Sequence, residues 1–414
     1  MAKGDGSITQ RSRGSWRVRI SAGFEPTTGK RRYVTATVRG TKADARRERD
    51  RLRAEVEGGL KVDAQNVTLS EFIPIWADAK RTSGKIMEET LKGYLSVLKH
   101  AEELLGGVPL RKIDAPMVEA VCADVRAKGL SGTTSHNVHM LLKSVFSKAC
   151  DYGYATRNPC SKVDSPKANE PDRRSLTPQE ASRLLDRLDE SEEKAYRELA
   201  DKERRMLDRG KAFGRSYVKG VSSVSQTMAV RIGLATGARL SEVLALQWRC
   251  VDLESGQVSI CRALKKDGAL KEPKTAAGTR TASVDRKTVG HLARWKARQA
   301  AELAKFGIRQ TPETPVCCST TGGFINISNF ERWWRSFRDG NGFEGLRFHE
   351  LRHTQATLLL GSGVDVKTVQ ARLGHADASI TLNWYAHAMP GNDRQAADLL
   401  AAIMEHPEKA ARTA

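Results

Sequence analysis

Polar and hydrophobic residues alternate in two segments near the N-terminus, SWRVRISAGF and KRRYVTATVRG, which are joined by a turn-rich PTTGK. Alternation with a period of two predicts half-buried β-strands. It puts Trp16, Val18 and Ile20 on one face of the first strand. Arg17 and Arg19 fall on the opposite face. The helical pattern KADARRERDRLRAEVE follows and ends at a Gly-Gly pair, so this part of the chain is predicted to form a small sheet with one helix.

Hydrophobic residues recur with helical spacing in the next part of the chain. Thr68-Leu-Ser-Glu71 provides a capping box ahead of FIPIWADA, and LKVDAQN before it has the composition of a linker. Three further patterns follow, TLKGYLSVLKHAEELLG, APMVEAVCADVRAKG and TTSHNVHMLLKSVFSKACDYG, until Asn158-Pro159 ends the run. These patterns predict a bundle of about four short helices.

The second half of the chain mixes helical and strand patterns. After a polar, Pro-containing linker at 161–173, Thr177-Pro178-Gln179-Glu180 combines a capping box with proline at the first helical position. Residues 189–220 are densely charged and helical, and we interpret them as an insertion. QVSICRALKKDGALKEPKTAAGTRTASVD predicts two strands joined by a turn, and Ser328-Asn-Phe-Glu331 predicts another capped helix.

Residues 346–387 read LRFHELRHTQATLLLGSGVDVKTVQARLGHADASITLNWYAH. His349 and Arg352 are three residues apart, so a helix presents both on one face. A Gly-Ser-Gly sequence breaks this helix, and a second short helix is predicted to begin after Asp365, a plausible N-cap, and to stop at Gly374.

His375 follows this second helix directly, and Tyr385 lies ten residues further on. Taken singly, these residues have ordinary interpretations, because a helical tyrosine is usually a core aromatic and a helical histidine or arginine usually faces solvent. Together, a guanidinium, two imidazoles and a phenol suit chemistry on a phosphate. Arginine binds two phosphate oxygens at once, histidine donates a proton or a hydrogen bond, and tyrosine attacks as a nucleophile.

Composition favours a polyanionic partner. The 414 residues include 69 Lys or Arg and 49 Asp or Glu, a net charge of +20. Through Arg47 there are 12 basic and three acidic residues, so +9 is concentrated on the predicted sheet. A solvated basic face is the alternative, but charge on strands that begin with an aromatic residue favours contact with nucleic acid. The candidate DNA contacts there are Arg17, Arg19, Lys30, Arg31 and Arg32.

The seven cysteines are odd in number and scattered, without a C-x-x-C motif. They predict neither a disulfide framework nor a zinc site, and they fit a reducing compartment. The N-terminus lacks the apolar core of a signal peptide, and no run is long enough to span a bilayer. We therefore expect no membrane association and a cytoplasmic location.

The sequence H-E-L-R-H-T, then L-G-H, then a tyrosine ten residues later, resembles the catalytic half of the tyrosine recombinases, the phage integrase family. TGARLSE is similar to the family motif T-G-x-R-x-x-E, with Arg239 at the start of a helix and Glu242 one turn on to orient it. Lys274 in P-K-T matches the hairpin lysine of the family. The resemblance covers roughly residues 68–402. The catalytic set it implies is Arg239, Lys274, His349, Arg352, His375 and Tyr385.

This resemblance implies a mainly α protein with small β-sheets, of the α+β class. Residues 1–60 would be an arm-type DNA-binding domain, and 66–161 a helical, SAM-like core-binding domain. Residues 172–402 would form the mixed α/β catalytic domain, followed by a polar tail at 403–414. The candidate phosphate contacts of the core-binding domain are Lys92, Lys99, Lys143 and Lys148.

The resemblance also implies a mechanism. Arg239 and Arg352 would hold the non-bridging oxygens of the scissile phosphate, and Tyr385 would attack in line to give a 3′-phosphotyrosyl DNA. Lys274 would protonate the leaving 5′ oxygen, while the two histidines would accept a proton or bind the phosphate. Since two arginines neutralise the charge and the phosphotyrosine conserves the bond energy, no metal, cofactor or ATP is implied.

The expected function is site-specific integration and excision of a phage or other mobile element. The implied partners are double-stranded DNA at core and arm sites, a homotetramer on two paired duplexes, an excisionase or directionality factor and a host DNA-bending protein. The alternatives are a cellular chromosome-dimer resolvase, a type IB topoisomerase, and a non-catalytic DNA-binding regulator that has kept the fold. The basic N-terminal part favours an integrase over the resolvase, and the complete catalytic set disfavours the regulator.

Overall fold

The structure is a computed structural model that describes residues 6–24, 29–61, 65–169, 174–208, 215–272, 278–319, 321–374, 401 and 404, with the backbone alone for 215–220. The chain divides into two compact units, Met1–Pro171 and Asp172–Ala414. Helices predominate and the sheets are small, as the α+β prediction requires. Among the described residues, no helix is both long and apolar enough to cross a membrane.

A three-stranded antiparallel sheet with the order β1-β2-β3 begins the first unit. Its strands are β1 (Ser7–Ser12), β2 (Ser15–Phe24) and β3 (Arg31–Arg39), and helix α1 (Lys42–Glu57) follows. The two strands and the helix predicted from the pattern are confirmed. Strand β1 was not predicted, because SITQRS has a single large hydrophobic residue and therefore no apolar alternation.

The two faces of this sheet differ as the alternation predicts. Val18 and Ile20 of β2 are buried with Leu52 of α1 in a small apolar core, so the helix covers that face. Arg17 and Arg19 are exposed on the other face. These two arginines therefore lie on the side of the sheet opposite α1.

A helical bundle with its own apolar core forms the rest of the first unit. Its helices are α2 (Leu69–Thr82), α3 (Glu88–Leu105), α4 (Ala115–Ala127) and α5 (Gly132–Asp151), with short 3-10 turns at Leu110–Lys112 and Pro159–Lys162. The predicted capping box is confirmed, since the Thr68 hydroxyl accepts from the Glu71 amide at 3.3 Å and the Glu71 carboxylate accepts from the Thr68 amide at 2.9 Å. Trp76 and Phe146 are fully buried in the bundle core.

The predicted linker between sheet and bundle begins with Leu60 and Lys61, and Lys61 is bound to the bundle. The Lys61 amide donates to the Gly153 carbonyl at 2.9 Å. Arg111 of the bundle donates to the Lys61 carbonyl at 2.9 Å and pairs with Glu55 of α1 at 3.2 Å. Because Arg111 and Glu55 are both largely buried, this cluster fixes the end of α1 against the bundle.

The second unit begins with a long helix, α6 (Pro178–Asp208), whose predicted capping box is confirmed by the Thr177 amide donating to Glu180 at 2.9 Å. The charged segment that we interpreted as an insertion continues this helix without a break as far as Asp208. Its carboxylates pair with basic residues of and just after a later helix, α9 (Arg286–Ala304). Glu203, for example, accepts from Lys305 at 2.8 Å and from Arg298 at 3.3 Å.

Further helices and two small sheets complete the described part of this unit. The helices are α7 (Arg215–Thr236), α8 (Leu240–Val243), α10 (Ile327–Asp339), α11 (Phe348–Gly361) and α12 (Val366–Leu373), with a 3-10 turn at Trp248–Cys250. The strands are β4 (Val251–Asp252), β5 (Gln257–Ile260), β6 (Ala263–Leu264), β7 (Leu270–Lys271) and β8 (Arg280–Ser283), paired as β4-β5-β8 and β6-β7.

Of two N-caps predicted for helices of this unit, one is confirmed and one is wrong. The predicted cap at Asp365 is confirmed, because its carboxylate accepts from the Thr368 amide at 2.9 Å. The capping box predicted at Ser328 is wrong: helix α10 begins two residues earlier, and Asn326 accepts from the Ser328 amide at 2.9 Å. Asparagine is as good an N-cap as serine, so the sequence alone offered two competing start positions.

The fully buried Leu98 of α3 provides a test of the bundle core. Leu98→Ala is expected to lower the free energy of unfolding by about 2–5 kcal/mol, because it removes buried methyl groups and leaves a cavity. Ser96→Ala, at an exposed position of the same helix, should change it by no more than about 0.5 kcal/mol. Urea unfolding followed by circular dichroism measures both. A similar value for the two variants would contradict the assignment of this core.

Candidate active site

Arg239 and Glu242 form the first element of the site. Arg239 is the N-cap of α8, and its guanidinium donates to a Glu242 oxygen at 2.7 Å. The second Glu242 oxygen accepts from the Arg239 backbone amide at 2.9 Å. The Arg239 side chain remains 44% exposed while that of Glu242 is 10% exposed. As predicted, the buried carboxylate therefore orients an arginine that is open to solvent.

Glycine is required at the turn before Arg239. Gly237 has a φ of +66°, in the left-handed region that side chains disfavour. A Cβ there would also come within 2.4 Å of both the Gln355 side-chain oxygen and a Leu373 methyl group. The turn can thus pack directly against α11 and α12, and this brings Arg239 close to the residues of those helices.

A second guanidinium holds Glu242 from the opposite side. Arg280 of β8 donates to a Glu242 oxygen at 2.8 Å, and its side chain is only 5% exposed. Burial by itself would raise the pKa of Glu242, but the hydrogen bond and charge of Arg280, followed by those of Arg239, hold that pKa below its usual value. Glu242 is therefore ionised and shared between two arginines.

Arg352 lies in α11 and is 1% exposed. One of its terminal nitrogens donates to the Gly237 carbonyl at 2.8 Å, while the other, Nη2, is buried and has no hydrogen-bond partner among the described residues. Burial, and then the positive charges of Arg239 and Arg280, lower the pKa of Arg352 to about 9. Since a guanidinium keeps its proton at neutral pH, this site has an excess of positive charge that an oxyanion would satisfy.

His349 lies one turn before Arg352 in the same helix, as the spacing predicts. Desolvation of the ring, followed by the positive charges of Arg352 and Arg239, lowers the pKa of His349, although the residue keeps solvent exposure. Its ring meets His353 edge-on, with centroids 4.9 Å apart. A neutral imidazole beside two guanidiniums is able to accept a proton or to hydrogen-bond an oxyanion.

A cleft of about 620 Å³ opens beside His349, between α10 and the start of α11. Arginines and aromatic residues line it together, including Arg335, Arg347 and Trp334. Arg347, the N-cap of α11, donates to the buried Glu350 at 2.7 Å and remains 62% exposed. The cleft therefore extends the positive charge of the site toward solvent.

Three predicted catalytic residues, Lys274, His375 and Tyr385, lie outside the described residues. The chain leading to the first is described as far as the β6-β7 hairpin, which ends at Lys271. The chain leading to the other two is described as far as Gly374, whose φ of +67° ends α12 as predicted. The predicted polar tail at 403–414 also lies outside, apart from residue 404.

Most predicted DNA contacts of the first unit are exposed. They are Arg17, Arg19, Lys30, Arg31 and Arg32 in and beside the sheet, and Lys92, Lys99 and Lys143 in the bundle. Lys148 of α5 is half-buried. The Arg19 guanidinium lies 3.7 Å from the centroid of the Tyr33 ring, which is itself 44% exposed. Threonines and serines surround these side chains on the same sheet face, because Arg17 pairs with Thr9 and Thr37, and Arg19 pairs with Ser7 and Thr35.

Arg280 and Arg372 are site residues that sequence reasoning missed. Arg372 donates to the Ala235 carbonyl at 2.6 Å and to the Ser283 carbonyl at 2.9 Å, which ties α12 to α7 and β8. Its own carbonyl accepts from Arg280 at 3.0 Å. The sequence offered no signal for either, since both arginines are ordinary basic residues until the fold buries them.

The catalytic half of the chain matches the model of the phage integrase family over residues 211–391. Among curated proteins, it is 26% identical over 384 residues to a tyrosine recombinase XerC-like protein of Caldanaerobacter subterraneus subsp. tengcongensis, covering 87% of this chain and 89% of that protein. It is 24% identical over 398 residues to the ICEBs1 integrase of Bacillus subtilis, covering 95% of this chain and 99% of the relative.

Solved structures share the fold. The Tn1549 transposon integrase, in complex with a circular intermediate DNA, aligns with a TM-score of 0.60 and 21% identity over 80% of this chain and 99% of that one. A lambda integrase tetramer bound to a Holliday junction aligns with a TM-score of 0.52 and 18% identity, over 90% of this chain and 96% of that one. The family model and the relatives agree with the motifs and the arginine site: residues 211–391 carry a phage integrase domain, and the chain is similar to tyrosine recombinases over most of its length.

Proposed function

We propose that this protein is a site-specific DNA integrase that cleaves and rejoins DNA through a 3′-phosphotyrosyl intermediate to integrate and excise a mobile element. The observation that carries the proposal is the buried Arg352, whose Nη2 has no hydrogen-bond partner among the described residues, in the same site as the carboxylate-held Arg239. Two guanidiniums fixed in one site are suited to the charge that develops on a phosphate under attack.

In the proposed reaction, Tyr385 attacks the scissile phosphorus and its oxygen forms the new bond. The bond to the 5′ oxygen breaks, Lys274 gives that oxygen a proton, and a free 5′-hydroxyl leaves. His349, neutral because its pKa is lowered, takes the phenol proton or binds the phosphate, and His375 donates a hydrogen bond to it. Attack by the 5′-hydroxyl of a partner strand reverses these steps, so rejoining needs no ATP.

The DNA would be held by three parts of the chain. We assign residues 1–60 to arm sites, 66–161 to core sites and 172–402 to catalysis, before the tail at 403–414. The exposed arginines, serines and threonines of the sheet support the first assignment, because such side chains contact phosphates and base edges. The proposal includes a homotetramer on two paired DNA sites, an excisionase or directionality factor, a host DNA-bending protein and action in the bacterial cytoplasm.

A chromosome-dimer resolvase of the same chemistry is the second candidate, since XerC proteins are among the relatives. The extent of the matches favours the integrase. The ICEBs1 integrase aligns over 95% of this chain, whereas the XerC of Alcanivorax borkumensis aligns over 76%. A resolvase would have no need of a basic sheet domain ahead of its core-binding part.

The unsatisfied Arg352 predicts binding of a free oxyanion. Sulfate is expected to raise the melting temperature of the wild-type protein more than chloride does at matched ionic strength, because it neutralises the buried guanidinium. Arg352→Gln should remove this difference, while Arg286→Gln, at an exposed position outside the site, should keep it. Equal shifts in wild type and Arg352→Gln, measured by differential scanning fluorimetry, would exclude an anion site at Arg352.

Tyr385→Phe tests the nucleophile directly. The variant should bind a nicked suicide DNA duplex with the affinity of the wild type, yet form no covalent adduct, because only the phenol oxygen is lost. Adducts are resolved on denaturing gels after incubation in excess EDTA and without nucleotide. The neighbouring Trp384→Phe serves as the matched aromatic control and should still form the adduct. An adduct formed by Tyr385→Phe would end this assignment.

The sheet surface predicts separate recognition of arm DNA. Arg17→Gln combined with Arg19→Gln should weaken arm binding and reduce the slope of log Kd against log salt by about 2, because two phosphate contacts are lost. Binding and cleavage of an isolated core site should not change. The control is Arg46→Gln with Arg47→Gln, which removes equal charge from α1 on the opposite side of the sheet. Gel shifts on both DNAs measure the effect, and equal losses in the two double variants would refute the assignment of this face.

A further inference from the structure

Arg280 is a buried arginine whose guanidinium is bound in three directions. It donates to the Glu242 carboxylate at 2.8 Å, to the Arg372 carbonyl at 3.0 Å and to the Gly278 carbonyl at 3.3 Å. Its side chain is only 5% exposed, so solvent supplies little of this coordination. The Arg280 guanidinium is therefore also inaccessible to a DNA phosphate.

The three acceptors belong to three separate parts of the site. Glu242 is the carboxylate that orients Arg239. The Arg372 carbonyl belongs to the last turn of α12, directly before the segment that carries the histidine and tyrosine of the family motif. Gly278 follows the segment that carries the family lysine and lies two residues before the start of β8. A single side chain thus joins the places from which four of the six proposed catalytic residues come.

An arginine is suited to this position because its planar fork presents five donors in a fixed arrangement. Both Glu242 oxygens are engaged, one by the Arg239 guanidinium and the other by Arg280 together with the Arg239 amide. Without Arg280, the Glu242 carboxylate would be held by Arg239 alone and could rotate. The position of Arg239 therefore depends on Arg280 through Glu242.

We propose that Arg280 is a positioning residue for the strand-cleavage step, which holds Arg239 and the end of α12 in the arrangement that the transition state requires. The proposal rests on the proposed function, in which Arg239 contacts the scissile phosphate. It assigns to Arg280 an effect on the rate of cleavage within bound complexes and little effect on DNA affinity, because Arg280 does not reach DNA.

The test uses the full-length protein and compares Arg280→Gln, Arg239→Ala, the combination of the two, and Arg286→Gln as the exposed arginine control. Single-turnover cleavage of a nicked suicide duplex gives the rate, and fluorescence anisotropy gives Kd. Stoichiometric titration with DNA gives the active fraction. Arg280→Gln should lower the rate about 10²-fold, the size expected when a reacting group is misplaced by about 1 Å. Kd should stay within about threefold, because many phosphate contacts share the binding.

The double variant separates positioning from stability. If Arg280 acts through Arg239, adding Arg280→Gln to Arg239→Ala should lower the rate by less than about threefold further, since coupled residues are not additive. A purely structural role would lower the active fraction and leave the rate of the bound complex unchanged, and this result would overturn the proposal. The proposal would also be overturned if Arg280→Gln lowered the cleavage rate as much in the Arg239→Ala background as it does in the wild type.

The outcomes also distinguish this proposal from the proposed function. Wild-type cleavage by Arg239→Ala would refute the function assigned to Arg239. Loss of cleavage in Arg239→Ala together with a normal rate in Arg280→Gln would refute the positioning role alone. Should Arg280→Gln fail to fold, Glu242→Gln replaces it, because it keeps the shape of the side chain that Arg280 holds. This variant should show the same loss of rate and the same lack of additivity, and a wild-type rate would overturn the proposal.

Discussion

The carboxylate of Glu242, buried between Arg239 and Arg280, is the interaction on which the site depends. It supplies a fixed negative charge among three positive ones, and this lets the guanidiniums of Arg239 and Arg280 lie near the buried Arg352. The fold brings these charged groups together. The Gly237 turn places α8 against α11 and α12, and Arg280 connects β8 to the Glu242 carboxylate. Removing either partner of a buried pair leaves an uncompensated charge, so these elements stabilise one another.

The site is nevertheless left unsatisfied where a substrate would bind. Arg352 keeps one buried nitrogen without a partner among the described residues, and its pKa is lowered by burial and then by the like charges of Arg239 and Arg280. A protein selected for stability alone would pair or replace such a group. Under the proposed function, this charge is arranged in advance for a phosphate, and binding of DNA would need little reorganisation of the site.

Much of this arrangement could be predicted from the sequence where a local rule applies. The period-two strands, the capping boxes at Thr68 and Thr177, and the Arg239–Glu242 pair all depend on residues close in the chain, and each is confirmed. Arg280 could not be found in this way, because its partners lie 38 and 92 residues away and only the fold brings them together. The cap at Asn326 was missed for a different reason, since two good capping residues compete within three positions.

The hydrogen bonds between Lys61, Arg111 and Gly153 have a consequence for the geometry of DNA sites. They fix the end of α1 on the helical bundle, so no flexible linker separates the sheet from the bundle at this point. A DNA sequence held by the sheet would then have a set direction and rotation relative to one held by the bundle. DNA makes one turn in about 10–10.5 base pairs, so the spacing between the two sequences decides which side of the DNA each one faces. Simultaneous binding of both sequences would depend more on this rotation than on their total separation. Inserting half a turn of DNA between them would turn one sequence to the wrong side of the helix, while a full turn would restore it.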